Sequence, residues 1–185
     1  ELTVAQLLRE LESRYADLPE VLDYLKGVAA DVVEKGGLFL AEGEGEAPVA
    51  DDPRFTRYRV NLLVDNGAAE GAPVVFEDNP NYQNLVGRIE HVAHMGTLST
   101  DFTLIRAGAL HRANGGYLVL DVDKLLMQPF AWGALKRALN GGEVRIEPVE
   151  RLVGLIGTVS LEPEPIPLDL KVALVGDRHL YYLLK

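Results

Sequence analysis

The run Gly108-Ala109-Leu110-His111-Arg112-Ala113-Asn114-Gly115-Gly116-Tyr117-Leu118-Val119-Leu120-Asp121 decides how this chain folds. Residues 108–114 read as a short helix, the double glycine as a sharp turn, and 116–121 as a buried strand ending in one carboxylate. Such an apolar strand belongs inside a parallel sheet, and the carboxyl edge of that sheet is where these folds hold ligands. A second run, Lys171-Val172-Ala173-Leu174-Val175-Gly176-Asp177, has the same form. If the two strands are parallel, Asp121 and Asp177 emerge at one edge, where paired carboxylates can bind a divalent cation or orient a water. Each aspartate also has a plainer use, as the first residue of a loop or the cap of the next helix.

Outward from this core the periodicity changes. Val4, Leu7, Leu8, Leu11 and Tyr15 follow helical spacing, as do Val21, Leu22, Leu25, Val28, Ala29 and Val32. Asp17 and Glu20 are spaced as a capping box, Pro19 suits a first helical turn, and Gly36-Gly37 supplies a stop. Residues 3–16 and 18–35 are therefore expected to form a helical hairpin. Residues 41–53 are acidic, glycine-rich and poor in large apolar side chains, which describes a self-repelling connection rather than a cation site built from Glu42, Glu44 and Glu46. Alternation at Tyr58, Val60, Leu62 and Val64 predicts a strand. Val74-Val75-Phe76 suggests another, and 88–94 and 100–106 lean the same way. A helix over 129–139 is expected to open at Pro129, to turn Phe130, Ala134, Leu135, Ala138 and Leu139 inward, and to stop at Gly141-Gly142. Further strands are expected at 144–147 and 158–161. The prolines at 163, 165 and 167 keep that stretch extended but away from the centre of a sheet. Strands alternating with helices give an α/β fold.

Bulk properties narrow the function. The chain has 185 residues, is 48% hydrophobic and carries a formal charge of −10. This suffices for a real core and argues against a nucleic-acid-binding surface over most of the molecule, although Arg54, Arg57 and Arg59 cluster. Cysteine is absent, which excludes disulfides and thiolate metal sites. No apolar run approaches the length of a membrane span and no leader pattern opens the chain, so a cytoplasmic protein is expected. Glu1 without a methionine and the apolar run 180–184 give the further expectation of a fragment.

Other chemistry is less well supported. His91 and His94 have a His-x-x-His spacing, with His111 a third imidazole, but i and i+3 converge on a helix and diverge on a strand. Arg112 precedes the double glycine; it could reach a neighbour's nucleotide if 108–114 sits at a subunit boundary, or serve as a local ion pair. Ser13, Ser99 and Ser160 lie in no nucleophile motif, and no phosphate-binding Gly-x-x-x-x-Gly-Lys pattern exists in the chain.

Five segments together resemble a known family: Tyr58-Arg59-Val60-Asn61-Leu62-Leu63-Val64-Asp65, Phe76-Glu77-Asp78-Asn79-Pro80, Asn84-Leu85-Val86-Gly87-Arg88-Ile89-Glu90, Gly108 through Asp121, and Ser160 through Leu168. In this order they are similar to the bacterial Lon-related ATP-dependent proteases, from roughly residue 16 to the end. The resemblance implies an AAA+-like α/β sheet fragment of the P-loop-NTPase type with an N-terminal helical hairpin. Residues 1–37 would be part of a helical insertion, 38–57 an acidic linker, and 58–185 a core segment without the phosphate-binding loop. It implies a parent that uses ATP and magnesium, assembles into rings with copies of itself, and feeds protein substrates to a downstream serine–lysine protease domain. This segment alone is expected to bind neither cofactor tightly and to hold no complete ATPase or protease site. Within it, Asp121 would hold magnesium and Asp177 would stand as a polar sensor of the γ-phosphate. Arg112 joins them as a candidate nucleotide contact. Val122 departs from the general AAA+ pattern, which places a water-polarising glutamate there, and 143–149 with 158–168 look like a hairpin preceding the sensor. The rival expectations are a nucleotide-independent scaffold and a metal-dependent hydrolase using His91, His94 and Asp121.

Overall fold

The computed structural model describes residues 2–39, 52–94, 97–152, 154 and 161–184. It separates into two compact units, Glu1–Val60 and Asn61–Lys185.

The first unit is the expected hairpin, α1 (Leu2–Arg14) and α2 (Pro19–Glu34). Pro19 sits in the first turn, where its missing N–H is no loss. The cap position is Leu18 rather than Asp17, and it makes no side-chain bond, so the capping box does not form. Leu25 is buried at the centre of the apolar stripe of α2, and Val21, Leu22, Val28, Ala29 and Val32 are half-buried around it. Residues Gly36–Phe39 and Pro53–Tyr58 are short 3-10 helices, the second begun by Asp52 accepting the Arg54 N–H at 2.8 Å. Two of the clustered arginines meet carboxylates: Arg54 pairs with Asp52 at 2.7 Å and Arg57 with Asp31 at 3.4 Å.

The strand expected at 58–64 does not form, and the reason lies in side chains. Tyr58 packs with Phe39 and Phe55 at ring separations of 5.7 and 6.4 Å, and its hydroxyl donates to Asp31 at 2.7 Å. Hydrogen bonds from Lys35 and then Tyr58 hold the Asp31 carboxyl down at about 2. Farther on, the Asn61 amide donates to the carbonyls of Phe102 and Ile105 at 2.8 and 3.0 Å, so a side chain takes acceptors that a ladder would have used.

The second unit runs β1 (Val74–Glu77), α3 (Tyr82–Val86), β2 (Arg88–Ile89), β3 (Val92–His94), β4 (Thr97–Ser99), β5 (Ile105–Arg106), α4 (Ala109–Arg112), β6 (Tyr117–Asp121), α5 (Val122–Met127), α6 (Ala131–Gly141), β7 (Glu143–Val144), α7 (Val149–Leu152), β8 (Ile166–Pro167), β9 (Lys171–Val175) and α8 (Arg178–Leu184). Its sheet has the order β1-β6-β9, with both pairings parallel and β6 in the middle. The antiparallel pairs β2–β5, β3–β4 and β7–β8 are separate. The last joins 143–144 to 166–167, so the expected hairpin is present at its base; the strand expected at 158–161 falls almost wholly outside the described residues.

One face of the sheet is covered. Leu118 and Leu120 are fully buried against Leu85, Leu110 and Leu135 from α3, α4 and α6. Each such side chain contributes roughly 1.5–3 kcal/mol by leaving water. The other face is bare among the described residues, with Val74, Phe76 and Val175 at 70%, 62% and 58% exposure. Parallel sheets normally bury both faces.

Two expectations around α6 need correction. The helix begins at Ala131, because Phe130 takes a left-handed backbone, φ 64°, as its N-cap. That conformation turns Phe130 to solvent, and Leu139 is exposed as well; Ala131, Ala134, Leu135 and Ala138 form the buried face. Upstream, α5 starts directly at the end of β6, the second of the two plainer uses expected for Asp121.

The double glycine explains the start of β6. Gly115 has φ 81°, open to glycine at little cost, and its N–H donates to Asp169 O at 2.7 Å. A Cβ on Gly116 would stand 2.0 Å from the Pro73 carbonyl oxygen, which accepts the Tyr117 N–H at 2.8 Å. Gly116→Ala is therefore expected to destabilise the fold by about 3 kcal/mol, at the upper end for overpacking, because the clash is with backbone. Urea denaturation measures this, and an unchanged midpoint would show that the strand start is not so confined.

Candidate functional site

Parallel pairing places the carboxyl ends of three strands along one edge. Glu77 is in register with Leu120, and Asp121 with Val175, two residues before Asp177. Asp121 and Asp177 therefore leave the sheet at the same edge, as their strand patterns predicted. Gly176 ties the two exits together: a Cβ there would lie 2.2 Å from Val122 Cγ1. The chain after β9 thus packs directly against the first residue of α5.

Asp121 is half-buried and caps α5, its Oδ1 accepting the Lys124 N–H at 3.1 Å. The plainer use of this aspartate is thus realised, while Oδ2 has no hydrogen bond among the described residues. Capping occupies one oxygen and leaves the carboxylate fixed in direction. Lys124 reaches from the first turn of α5 to pair with Asp78, whose hydrogen bond, followed by the charges of Asp78 and Asp121, raises its pKa. A cation therefore already sits beside this carboxylate-rich edge.

Val122 is 3% exposed and packed on Gly176. A glutamate in the same orientation would bury a carboxylate without a partner, which is costly. Asp123 is exposed on the first turn of α5 and meets no partner among the described residues. The Asp177 side chain is exposed and likewise unpartnered among them, at the entry to α8, where its carbonyl accepts the Leu180 N–H at 3.0 Å.

Arg112, at the end of α4, donates to Glu77 Oε2 at 2.7 Å. The carboxylate is largely shielded and the guanidinium about half exposed. This is the local ion pair weighed against a nucleotide contact, and it draws Arg112 toward the edge that also carries Asp121. His91 is exposed between β2 and β3, and the side chain of His94 lies outside the described residues. Among the described residues no cluster of three or more potential metal ligands exists.

The sequence missed the role of His111. It is 5% exposed, and its Nδ1 accepts the Gly108 N–H at 3.2 Å, closing the first turn of α4 where glycine has no side chain to do so. An accepting Nδ1 leaves the proton on Nε2, which is buried and without a partner among the described residues. The only available signal was its place between Leu110 and the half-exposed pattern that follows.

Residues 70–185 match the family described as "LonB-like, AAA domain". The chain belongs to this family. A protein of Escherichia coli (strain K12) named "Putative Lon protease homolog" is 30% identical over 170 residues, which covers 88% of this chain and 26% of that relative. The LonB-like segment thus spans about a quarter of the relative's length. The AAA-type match accords with the parallel sheet and its helices. No helix among the described residues is long and apolar enough to cross a membrane.

Burial pushes the His111 pKa from 6.5 down to about 4. Between these values the unfolded chain takes up a proton that the folded chain refuses. Stability is therefore full above pH 6.5 and falls as the pH drops toward 4, by up to about 3 kcal/mol. Melting temperatures of the wild type and His111→Gln between pH 7 and 4 check this; parallel curves would remove His111 as the source.

Proposed function

We propose that this LonB-like segment serves as the magnesium and γ-phosphate side of a nucleotide site in a longer, ring-forming Lon-like protease. The observation that carries the reading is the shared carboxyl edge, where Asp121 and Asp177 leave adjacent parallel strands. Asp121 would direct its uncapped oxygen to a magnesium ion carried by ATP, and Asp177 would read the γ-phosphate. Arg112, held by Glu77, could serve the same site or a neighbouring copy's. The residues present fit a metal–nucleotide only in part. They supply oxygen ligands suited to magnesium, but the chain has no glycine-rich loop with a lysine to cradle phosphates. Nucleotide chemistry would therefore need elements contributed from elsewhere in the protease. The sheet face left bare and the β9 edge left unpaired among the described residues are compatible with such elements. In the parent, the module would couple nucleotide binding to the handling of protein substrates.

A second reading is a nucleotide-independent scaffold that assembles the ring and screens substrates. One observation favours it: position 122 carries a buried valine, so the residue that follows Asp121 offers no carboxylate to activate water.

The test is Asp121→Asn in the full-length protease. The account predicts that ATP-stimulated degradation of an unfolded protein falls at least ~tenfold, with cleavage of a short peptide retained. Degradation unchanged by the substitution and by ATP would favour the scaffold.

A further inference from the structure

A cleft of about 240 Å³ lies among α3, α6 and the chain that follows α6, and nothing above uses it. Its apolar wall is Val86, Ala134 and Ala138. Its polar groups are Tyr82, Arg137 and Glu147, together with Arg145, which is already engaged by Glu143 at 2.7 Å. The first three are unusual in having no hydrogen bond or ion pair among the described residues. Tyr82 is 5% exposed as a residue, and its hydroxyl opens on the cleft with no hydrogen-bond partner among the described residues. Burial first, and then the charge of Glu147, pushes the phenol up to about 12, while Arg137 pulls the other way. Both charges therefore act on the same hydroxyl, which stays protonated and available as a donor.

We propose that this cleft binds a carboxylate bearing an N–H donor on the adjacent carbon and a small aliphatic side chain, the chemistry shared by a polypeptide's C-terminal residue and a free aliphatic α-amino acid. Arg137 and the Tyr82 hydroxyl take the carboxylate, and Glu147 accepts from the N–H. Val86, Ala134 and Ala138 receive the aliphatic side chain. Alternatives satisfy the groups less well. A phosphate dianion would be repelled by Glu147 and Glu143, and a simple cation by Arg137. A purely apolar ligand would strip water from three polar groups and give nothing in return. The inference is independent of the nucleotide reading, since none of these residues lies at the sheet edge.

The experiment titrates the chain with the peptide Ala-Ala-Leu, its C-terminal amide and free leucine, following NMR signals of Tyr82 and Ala138. The free-acid peptide, leucine or both should saturate these signals, and the amide should bind at least ~tenfold more weakly, since it removes the charge-assisted bonds. Arg137 is exposed, so Arg137→Gln should keep the fold and weaken the acid by a similar factor. Saturation by the peptide alone identifies a chain terminus, and by leucine alone a free amino acid. Absence of saturation at millimolar concentration, equal binding of acid and amide, or undiminished binding to a folded Arg137→Gln variant would each overturn the proposal.

Discussion

The larger unit depends on how closely Gly116 lies against the carbonyl of Pro73. That approach sets β6 beside β1, and the Gly116 carbonyl in turn accepts the Lys171 N–H at 2.9 Å, setting β9 on the other side. Two backbone bonds from neighbouring residues thus fix the register of three strands. Register then fixes which side chains meet the helices, because a slip of one residue would send each side chain to the other face of the sheet. Leu118 and Leu120 would lose the helices that cover them, and Asp121 would lose its position at the end of the strand.

At the opposite end of the sheet the constraint is steric. Val122 fills the space that a side chain on residue 176 would need, so the exits from β6 and β9 are joined. The same packing removes position 122 from the polar edge. A valine here favours a tightly knit edge over one equipped to activate water. Lys124, bonded to Asp78 and facing the charge of Asp121, offsets part of the repulsion among the acids gathered there.

Elements whose fate is decided locally were legible in the sequence. The strand ending at Asp121, its counterpart ending at Gly176-Asp177, the two N-terminal helices and the stop at Gly142 all carry their signal within a few residues. What was hidden depends on partners distant in sequence. Tyr58 alternates like a strand residue, yet an aromatic cluster and Asp31 claim it. Phe130 fits the helical stripe, yet its backbone turns left-handed. Asp121 read as ligand or as cap, and capping is what the fold displays. His111 read only as a third imidazole, because nothing nearby in sequence shows that the Gly108 N–H needs an acceptor. The cleft beside Tyr82 could not be seen at all, because its residues are brought together only by the packing of α3 on α6.

The central claim is that the ends of β6 and β9 form one side of a metal–nucleotide site. The most direct measurement is paramagnetic broadening of backbone amide signals when manganese and ATP are added together to the full-length protease with this segment isotope-labelled. The account predicts that residues 121–124 and 176–178 broaden first, and that Asp121→Asn abolishes the effect. Broadening confined to the acidic stretch 41–52, or undiminished in the variant, would contradict it.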